Sequence, residues 1–120
     1  MALMGTKSQC RLMECDKRLV RLVSLLSDQF DLIVVCGHRG KEDQEAAVTS
    51  GASPLHFPKS KHNVLPSRAV DIAPYPYKQY MNDKGKHDEM LDLLVDIAEK
   101  EGIPIRLGRI WGDYPHVELA

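Results

Sequence analysis

The chain has 120 residues, of which 43% are apolar and 28% charged. This length fits a single domain, because two cores of about 60 residues would each be near the size at which folding alone becomes marginal. The 16 basic and 17 acidic side chains nearly balance, at a formal charge of −1. Nucleic-acid-binding proteins typically show a clear basic excess, so we expect residues 1–120 to form one domain with no nucleic-acid partner.

Export and membrane insertion are not indicated either. No apolar run approaches the roughly 20 residues that a membrane-spanning helix needs, so no stable membrane insertion is expected. The N-terminal segment MALMGTKSQC shows neither the apolar stretch nor the cleavage site of a signal peptide. The chain has three cysteines, an odd number. Together these features predict a reducing compartment and no disulfide framework.

Hydrophobic periodicity predicts three helices and four short strands. The helices show apolar residues at i, i+3, i+4 and i+7 or end at a glycine, and the strands are short β-favouring runs. Residues 52–67 and 74–80 are expected to be loops, because prolines interrupt any period there. The irregular order predicts an α+β fold with a small, mainly antiparallel sheet and helices packed on one side. The predicted elements are a helix from Asp16 to about Ser27, a strand over 32–36, a helix over 41–50, a strand over 69–73, a helix over 86–100, and strands over 103–107 and 117–119.

Two histidines lie near carboxylates in positions that suit a metal site. Asp71 follows His62 by nine residues and falls in a predicted strand, and His116 follows Asp113 by three residues. A catalytic zinc ion typically takes three protein ligands, and a base outside the ligand set accepts a proton. His62, Asp71 and His116 would supply the ligands, with Asp113 as the base. Surface charge and turn capping explain the same residues, so the spacing alone leaves both interpretations open.

Four motifs in a fixed order narrow this choice. The segments CGHRGKEDQ, SKHNVLPSRAVDIAPYP and WGDYPHVEL contain Gly-x-Arg, Ser-x-His, Ala-x-Asp and Asp-x-x-His. Together they resemble the zinc D,D-carboxypeptidase and L,D-endopeptidase family, which includes vancomycin-resistance carboxypeptidases. The resemblance is closest to the phage L-alanyl-D-glutamate peptidase endolysins and runs from about Cys10 to Leu119. It implies a Hedgehog/D,D-peptidase-like fold.

The resemblance also implies a role for each matching residue. Its zinc ligands correspond to one aspartate and two histidines, its general base to an aspartate near the C-terminus, and its oxyanion-stabilising group to an arginine. A serine and a glutamine correspond to contacts with the substrate or supports of the ligand loop. In this sequence the ligands are His62, Asp71 and His116, the base is Asp113, the arginine is Arg39, and the remaining two are Ser60 and Gln44.

The function implied is zinc-dependent hydrolysis of peptidoglycan stem peptides, with the L-Ala–D-Glu bond as the expected target. An endolysin of this kind is expected to be a monomer, to accumulate in the host cytoplasm and to reach the cell wall through a membrane pore. Two alternatives stay open. One is a D-Ala–D-Ala carboxypeptidase or dipeptidase, and the other is a non-catalytic relative that binds metal or cell wall.

The sequence departs from the family pattern in four places. The spacing from His62 to Asp71 is nine residues where seven is common in the family. Residues 108–111 read Gly-Arg-Ile-Trp where relatives often have Gly-Gly-Asp-Trp. The gap from Trp111 to Asp113 is very short where relatives usually carry a longer loop, and Val117 follows the last ligand where Phe is usual. The shortened segment helps to wall the substrate cleft, so it bears on which bond is cut and keeps the non-catalytic alternative open.

Overall fold

The computed structural model describes residues 4–120, and this part of the chain contains five helices and four strands. Two 3₁₀ turns, Lys61–Asn63 and Gly108–Trp111, lie in the connections. The helices are α1 (Thr6–Met13), α2 (Lys17–Ser27), α3 (Lys41–Thr49), α4 (Tyr77–Tyr80) and α5 (Lys84–Glu101). The strands are β1 (Leu32–Cys36), β2 (Ala69–Pro74), β3 (Ile105–Leu107) and β4 (His116–Leu119).

The strands form one sheet in the order β1-β2-β4-β3, and every neighbouring pair is antiparallel. The predicted α+β fold is therefore confirmed. Because side chains alternate between the two faces of a strand, Val70 and Ile72 of β2 enter the hydrophobic core while Asp71 faces the other way. In β4, Val117 and Leu119 also enter the core. The polar side chains of β4 that alternate with them, His116 and Glu118, share the opposite face of the sheet with Asp71.

Helices α2 and α5 supply the other half of the core. They pack against each other, and α5 also packs against β2. The apolar stripe predicted for the first of these helices is confirmed, since all four of its residues are fully buried. The buried apolar residues are Leu19, Leu22, Val23 and Leu26 of α2 and Met90, Leu91, Leu94 and Ile97 of α5. Within residues 4–120 no helix combines the length and apolar character needed to cross a membrane.

Helix α1 was not expected from the sequence, because only Ser8 and Leu12 in it are buried and it carries no apolar stripe. Hydrogen bonds hold it against the outer strand of the sheet. The Ser8 hydroxyl accepts from the Val34 backbone N–H at 3.0 Å, and the Arg11 guanidinium donates to the Val34 carbonyl at 3.0 Å. Helix α1 thus satisfies backbone groups that an edge strand otherwise leaves open.

Two segments expected to be loops contain short helical turns. Helix α4 lies in residues 74–80, and the turn Lys61–Asn63 lies in residues 52–67. The expectation was wrong there because α4 buries none of its residues and the turn is three residues long, so neither generates a periodic signal. The predicted glycine stop of α5 is confirmed, since Gly102 adopts the left-handed conformation with φ of 67°.

Asp16 is the N-cap of α2, and this cap gives a test of stability. The Asp16 carboxylate accepts from the Arg18 backbone N–H and guanidinium, and these hydrogen bonds lower the pKa of Asp16 to about 2. Asp16→Ala should lower the free energy of unfolding by about 1 kcal/mol at pH 7 in urea titrations. The depressed pKa means that this stabilisation is complete above about pH 4 and is lost as pH falls toward 2. Asp16→Asn is the control, because it keeps a capping oxygen.

Candidate metal centre

Three elements bring together the residues with metal-ligand chemistry. Asp71 in β2 lies directly opposite His116, the first residue of β4, in the antiparallel register. His62 comes from the 3₁₀ turn Lys61–Asn63. Ser60 caps that turn, because its hydroxyl accepts from the His62 backbone N–H while its own N–H donates to the Asn63 side chain at 3.0 Å. The sheet therefore fixes two of the residues, and a capped turn fixes the third.

The nine-residue spacing between His62 and Asp71 is accommodated by an anchor on the junction of α1 and α2. The Ser67 N–H donates to the Glu14 carbonyl, and the Ser67 carbonyl accepts from the Asp16 N–H, both at 2.8 Å. The Ser67 side chain is fully buried. Ser67 thus ties the segment between His62 and β2 to this junction.

Three side-chain atoms face one another in a nearly equilateral triangle. His62 Nε2 lies 3.3 Å from His116 Nδ1, and Asp71 Oδ1 lies 3.3 and 3.4 Å from these two nitrogens. Ligand atoms arranged tetrahedrally at the usual zinc distances lie about 3.3–3.4 Å apart. Asp71 Oδ1 is buried and has no hydrogen-bond partner in the described part of the chain. The three residues fit a possible metal site.

Hydrogen bonds on the far side of each ring select the nitrogen that faces the triangle. His62 Nδ1 lies 2.8 Å from the Gly37 carbonyl, and His116 Nε2 lies 2.8 Å from Glu118 Oε1. Since both partners accept, the proton of each neutral imidazole belongs on these nitrogens. His62 Nε2 and His116 Nδ1 are then left with free lone pairs, which is the form that binds a metal ion.

The electrostatics of the triangle favour a cation. Burial acts to lower the pKa of His62, but the negative charge of Asp71 beside the ring outweighs it and raises this pKa to about 10. For Asp71, burial acts to raise the pKa, and the two imidazoles lower it well below its usual range. The carboxylate therefore attracts positive charge to the centre of the triangle. A metal ion arriving there would displace the proton that the rings otherwise hold.

Arg39 reaches the same centre from the loop after β1. One of its guanidinium nitrogens lies 3.6 Å from Asp71 Oδ2, and another donates to Gln44 Oε1 at 3.0 Å. Its backbone N–H donates to the His62 carbonyl at 2.7 Å. These contacts fix a positive charge beside the triangle.

Asp113 stands just before β4 and is half-buried. Burial raises the pKa of its carboxyl, and the negative charge of Asp71 raises it further. Asp113, Arg39, His62 and His116 line one cleft of about 370 Å³. This cleft thus offers a carboxyl group outside the ligand set and a fixed cation, both close to the candidate metal position. Larger cavities of about 620, 630 and 450 Å³ lie elsewhere, and the first two are lined mainly by apolar groups.

Gln44 of α3 is fully buried, and all its hydrogen-bonding positions are used. Its carbonyl oxygen accepts from Arg39 and from the Asn63 side chain, at 3.0 and 3.1 Å. Its amide donates to the Ser53 hydroxyl and the Leu55 carbonyl. Of the two roles expected for Gln44, these contacts favour support of the loop over contact with substrate.

One residue beside the centre, Asn63, was not found by sequence reasoning. Asn63 completes the cap of the His62 turn and also contacts Gln44, yet no motif position indicates it. The indole of Trp111 lies 5.7 Å from the His116 ring between centroids and is half exposed in the cleft wall. Trp111 belongs to the WGDYPHVEL motif, whereas only its closeness to a motif in sequence would have drawn attention to Asn63.

Gly108 allows the chain to pass close to the centre, which gives a second test. A Cβ at this position would collide with the Asp113 carbonyl and the His116 Cβ. Gly108→Ala should therefore destabilise the fold by about 1–3 kcal/mol and weaken metal binding. Gly85→Ala is the control, because a Cβ at this α5 position makes only an ordinary contact and improves helix propensity by up to about 1 kcal/mol. Urea unfolding and metal titration of both variants measure the difference, and equal metal affinities would contradict the close-approach argument.

The fold and the centre together define a small α+β protein in which two histidines and one aspartate, brought together by an antiparallel sheet and a 3₁₀ turn, could hold a metal ion. The phage L-alanyl-D-glutamate peptidase family matches residues 1–119, so the chain belongs to this family. The crystal structure of the Serratia marcescens L-Ala D-Glu endopeptidase ChiX has a similar fold, with a TM-score of 0.81 and 23% sequence identity. The alignment covers 98% of this chain and 90% of that chain. A comparison with curated proteins finds no match.

Proposed function

We propose that the chain is a zinc-dependent hydrolase of peptidoglycan stem peptides that cuts the L-Ala–D-Glu bond. The observation that carries this proposal is the triangle of His62 Nε2, His116 Nδ1 and Asp71 Oδ1, with sides of 3.3–3.4 Å, in a cleft that also holds Asp113 and Arg39. Membership of the phage L-alanyl-D-glutamate peptidase family supports peptidoglycan hydrolysis as the class of reaction.

The triangle would hold the zinc ion through two imidazoles and one carboxylate, which leaves a position open for water or substrate. When bound, the ion supplies Lewis acidity, which polarises a carbonyl and makes water acidic enough to lose a proton near neutral pH. The hydrogen bonds to Gly37 and Glu118 keep both rings oriented for this purpose.

In peptide hydrolysis, Asp113 would transfer the proton and Arg39 would stabilise the negative charge that develops. The Asp113 carboxylate accepts the proton of the attacking water and then returns it to the departing amine. Burial raises its pKa toward the working pH, which improves a general base that must also act as an acid. The Arg39 guanidinium stabilises the negative charge that grows on the carbonyl oxygen in the transition state.

Gln44 and Ser60 would act through these groups. Gln44 holds the Arg39 side chain, and Ser60 sets the turn that carries His62. Because one chain supplies every group, we propose that the protein works as a monomer. It would act on the cell wall after passing from the host cytoplasm through a membrane pore.

Mass spectrometry of purified peptidoglycan, incubated with the protein with and without a chelator, tests this function. We expect chelator-sensitive fragments that carry a new amino-terminal D-Glu. Loss of only a terminal D-Ala would replace the endopeptidase by a carboxypeptidase. Intact peptidoglycan, after incubation with protein shown to hold zinc, would favour a non-catalytic metal- or wall-binding protein.

A further inference from the structure

Glu118 is a buried carboxylate that contacts one of the proposed ligands from behind. Its Oε1 accepts from His116 Nε2 at 2.8 Å, and its Oε2 lies 2.9 Å from the Lys61 ammonium. Arg106, its cross-strand neighbour, is farther away at 3.9 Å and much more exposed. Lys61 is therefore the main partner that offsets the charge of Glu118.

Lys61 connects two separate elements of the centre. It directly precedes His62 in the 3₁₀ turn, and its side chain reaches across to β4. There the ammonium pairs with Glu118 and also donates to the Leu119 carbonyl. The sequence of contacts from His62 through Lys61 and Glu118 to His116 thus links both proposed imidazole ligands outside the metal position itself.

The chemistry of this link favours a role in orientation. A buried carboxylate that loses its cation is left with an uncompensated charge, so Glu118 and Lys61 hold each other in place. A carboxylate behind a ligating histidine fixes the tautomer and the ring plane and makes the metal-facing nitrogen a better ligand. A flexible ring, in contrast, would lose rotational freedom when the ion binds, at a cost in affinity.

We propose that the Lys61–Glu118 ion pair is a positioning bridge that holds the rings of His62 and His116 at metal-binding separation. The bridge has no contact with substrate in this role and acts through the two histidines. The inference rests on the metal site proposed above and adds a determinant of its affinity.

Zinc titration of the full chain in competition with a chromophoric chelator tests the bridge. Lys61→Met removes the ammonium but keeps the apolar stem, and Glu118→Gln keeps a hydrogen-bond acceptor but removes the charge. Each variant should bind zinc about 10- to 100-fold more weakly than the wild type. Lys59→Met is the matched control, because Lys59 is exposed on the same loop two residues earlier. It should keep the wild-type zinc affinity.

A double-mutant cycle separates a bridge from two independent contributions. If Lys61 and Glu118 act through each other, the double variant should bind zinc about as tightly as the weaker single variant. The absorption spectrum of the cobalt-loaded protein should change in both single variants, since ligand geometry sets it. Lys61→Arg should restore much of the affinity, because the guanidinium can pair with the same carboxylate.

The outcomes distinguish this inference from the proposed function. Folded single variants with wild-type zinc affinity and an unchanged cobalt spectrum would overturn the bridge, as would strictly additive losses in the double variant. A wild-type chain that binds no zinc would overturn the proposed metal site together with the bridge. If the zinc-loaded wild type leaves peptidoglycan intact, the hydrolase is refuted. Weaker zinc binding in Lys61→Met would then still support the bridge.

Discussion

Replacing Asp113 by Asn is expected to leave zinc binding intact and to lower kcat/KM on peptidoglycan by about 10²–10⁴-fold, the usual contribution of a general base. Asparagine has the same shape as aspartate but does not accept a proton at neutral pH. Asp113 lies outside the triangle of proposed ligands, and its link to His116 runs through its backbone carbonyl, which the substitution keeps. Metal analysis and turnover measurements on the same preparation would show the two effects separately.

Asp96→Asn is the matched control, because Asp96 is exposed on α5. This variant should keep both the zinc content and the rate of the wild type. An Asp113→Asn protein with wild-type turnover would refute the assignment of the base. An Asp113→Asn protein that lost its zinc would instead place this carboxylate among the ligands.

The sheet and its two core helices could be predicted because their sequences carry periodic signals. The stripe of α2 is fully buried, and the apolar runs of β1 and β2 form the strands expected of them. Helix α1 could not be predicted in this way, because hydrogen bonds to Val34 and a single buried apolar residue, Leu12, hold it in place instead of an apolar stripe. Such contacts exist only after the chain has folded and leave no local pattern.

The candidate metal centre could be predicted only in part. The residue types and their order indicated His62, Asp71 and His116, but the family resemblance was needed to choose metal binding over surface charge. The pairing of Asp71 with His116 depends on the register of β2 and β4, which the spacing in sequence does not define. The hydrogen bonds of Gln44 could not be predicted either, because their partners come from three segments that only the fold brings together.

The residues that contact the proposed ligands on the side away from the metal position were the hardest to predict. The motif pattern indicates the ligands themselves but not their neighbours. The contact between Lys61 and Glu118 joins a loop to a strand nearly sixty residues later. In the sequence a lysine in a basic loop fits solvent exposure, and a glutamate just after a proposed ligand histidine fits either solvent exposure or orientation of that ring. Only the folded structure shows that the carboxylate is buried behind a histidine.

Removal of the His62 imidazole should abolish both zinc binding and activity, the largest combined effect that we expect. The triangle would be reduced to two ligand atoms, and the buried oxygen of Asp71 would lose one of its two imidazole neighbours. Zinc at 100 times its Kd should stabilise the wild type by about 2.7 kcal/mol, because the ion binds the folded state alone. His62→Ala should show no zinc-dependent rise in Tm.

His56→Ala is the control for this substitution, because His56 is an exposed histidine that pairs with Glu45 on the surface. It should lose at most about 1 kcal/mol of stability and keep the full zinc-dependent rise in Tm. Chelation of the wild type should lower its Tm to the value of the metal-free protein, and added zinc should restore it. A His62→Ala protein that still bound one zinc ion with wild-type affinity would refute the proposed ligand set, since two ligand atoms from one strand pair cannot replace three from separate elements.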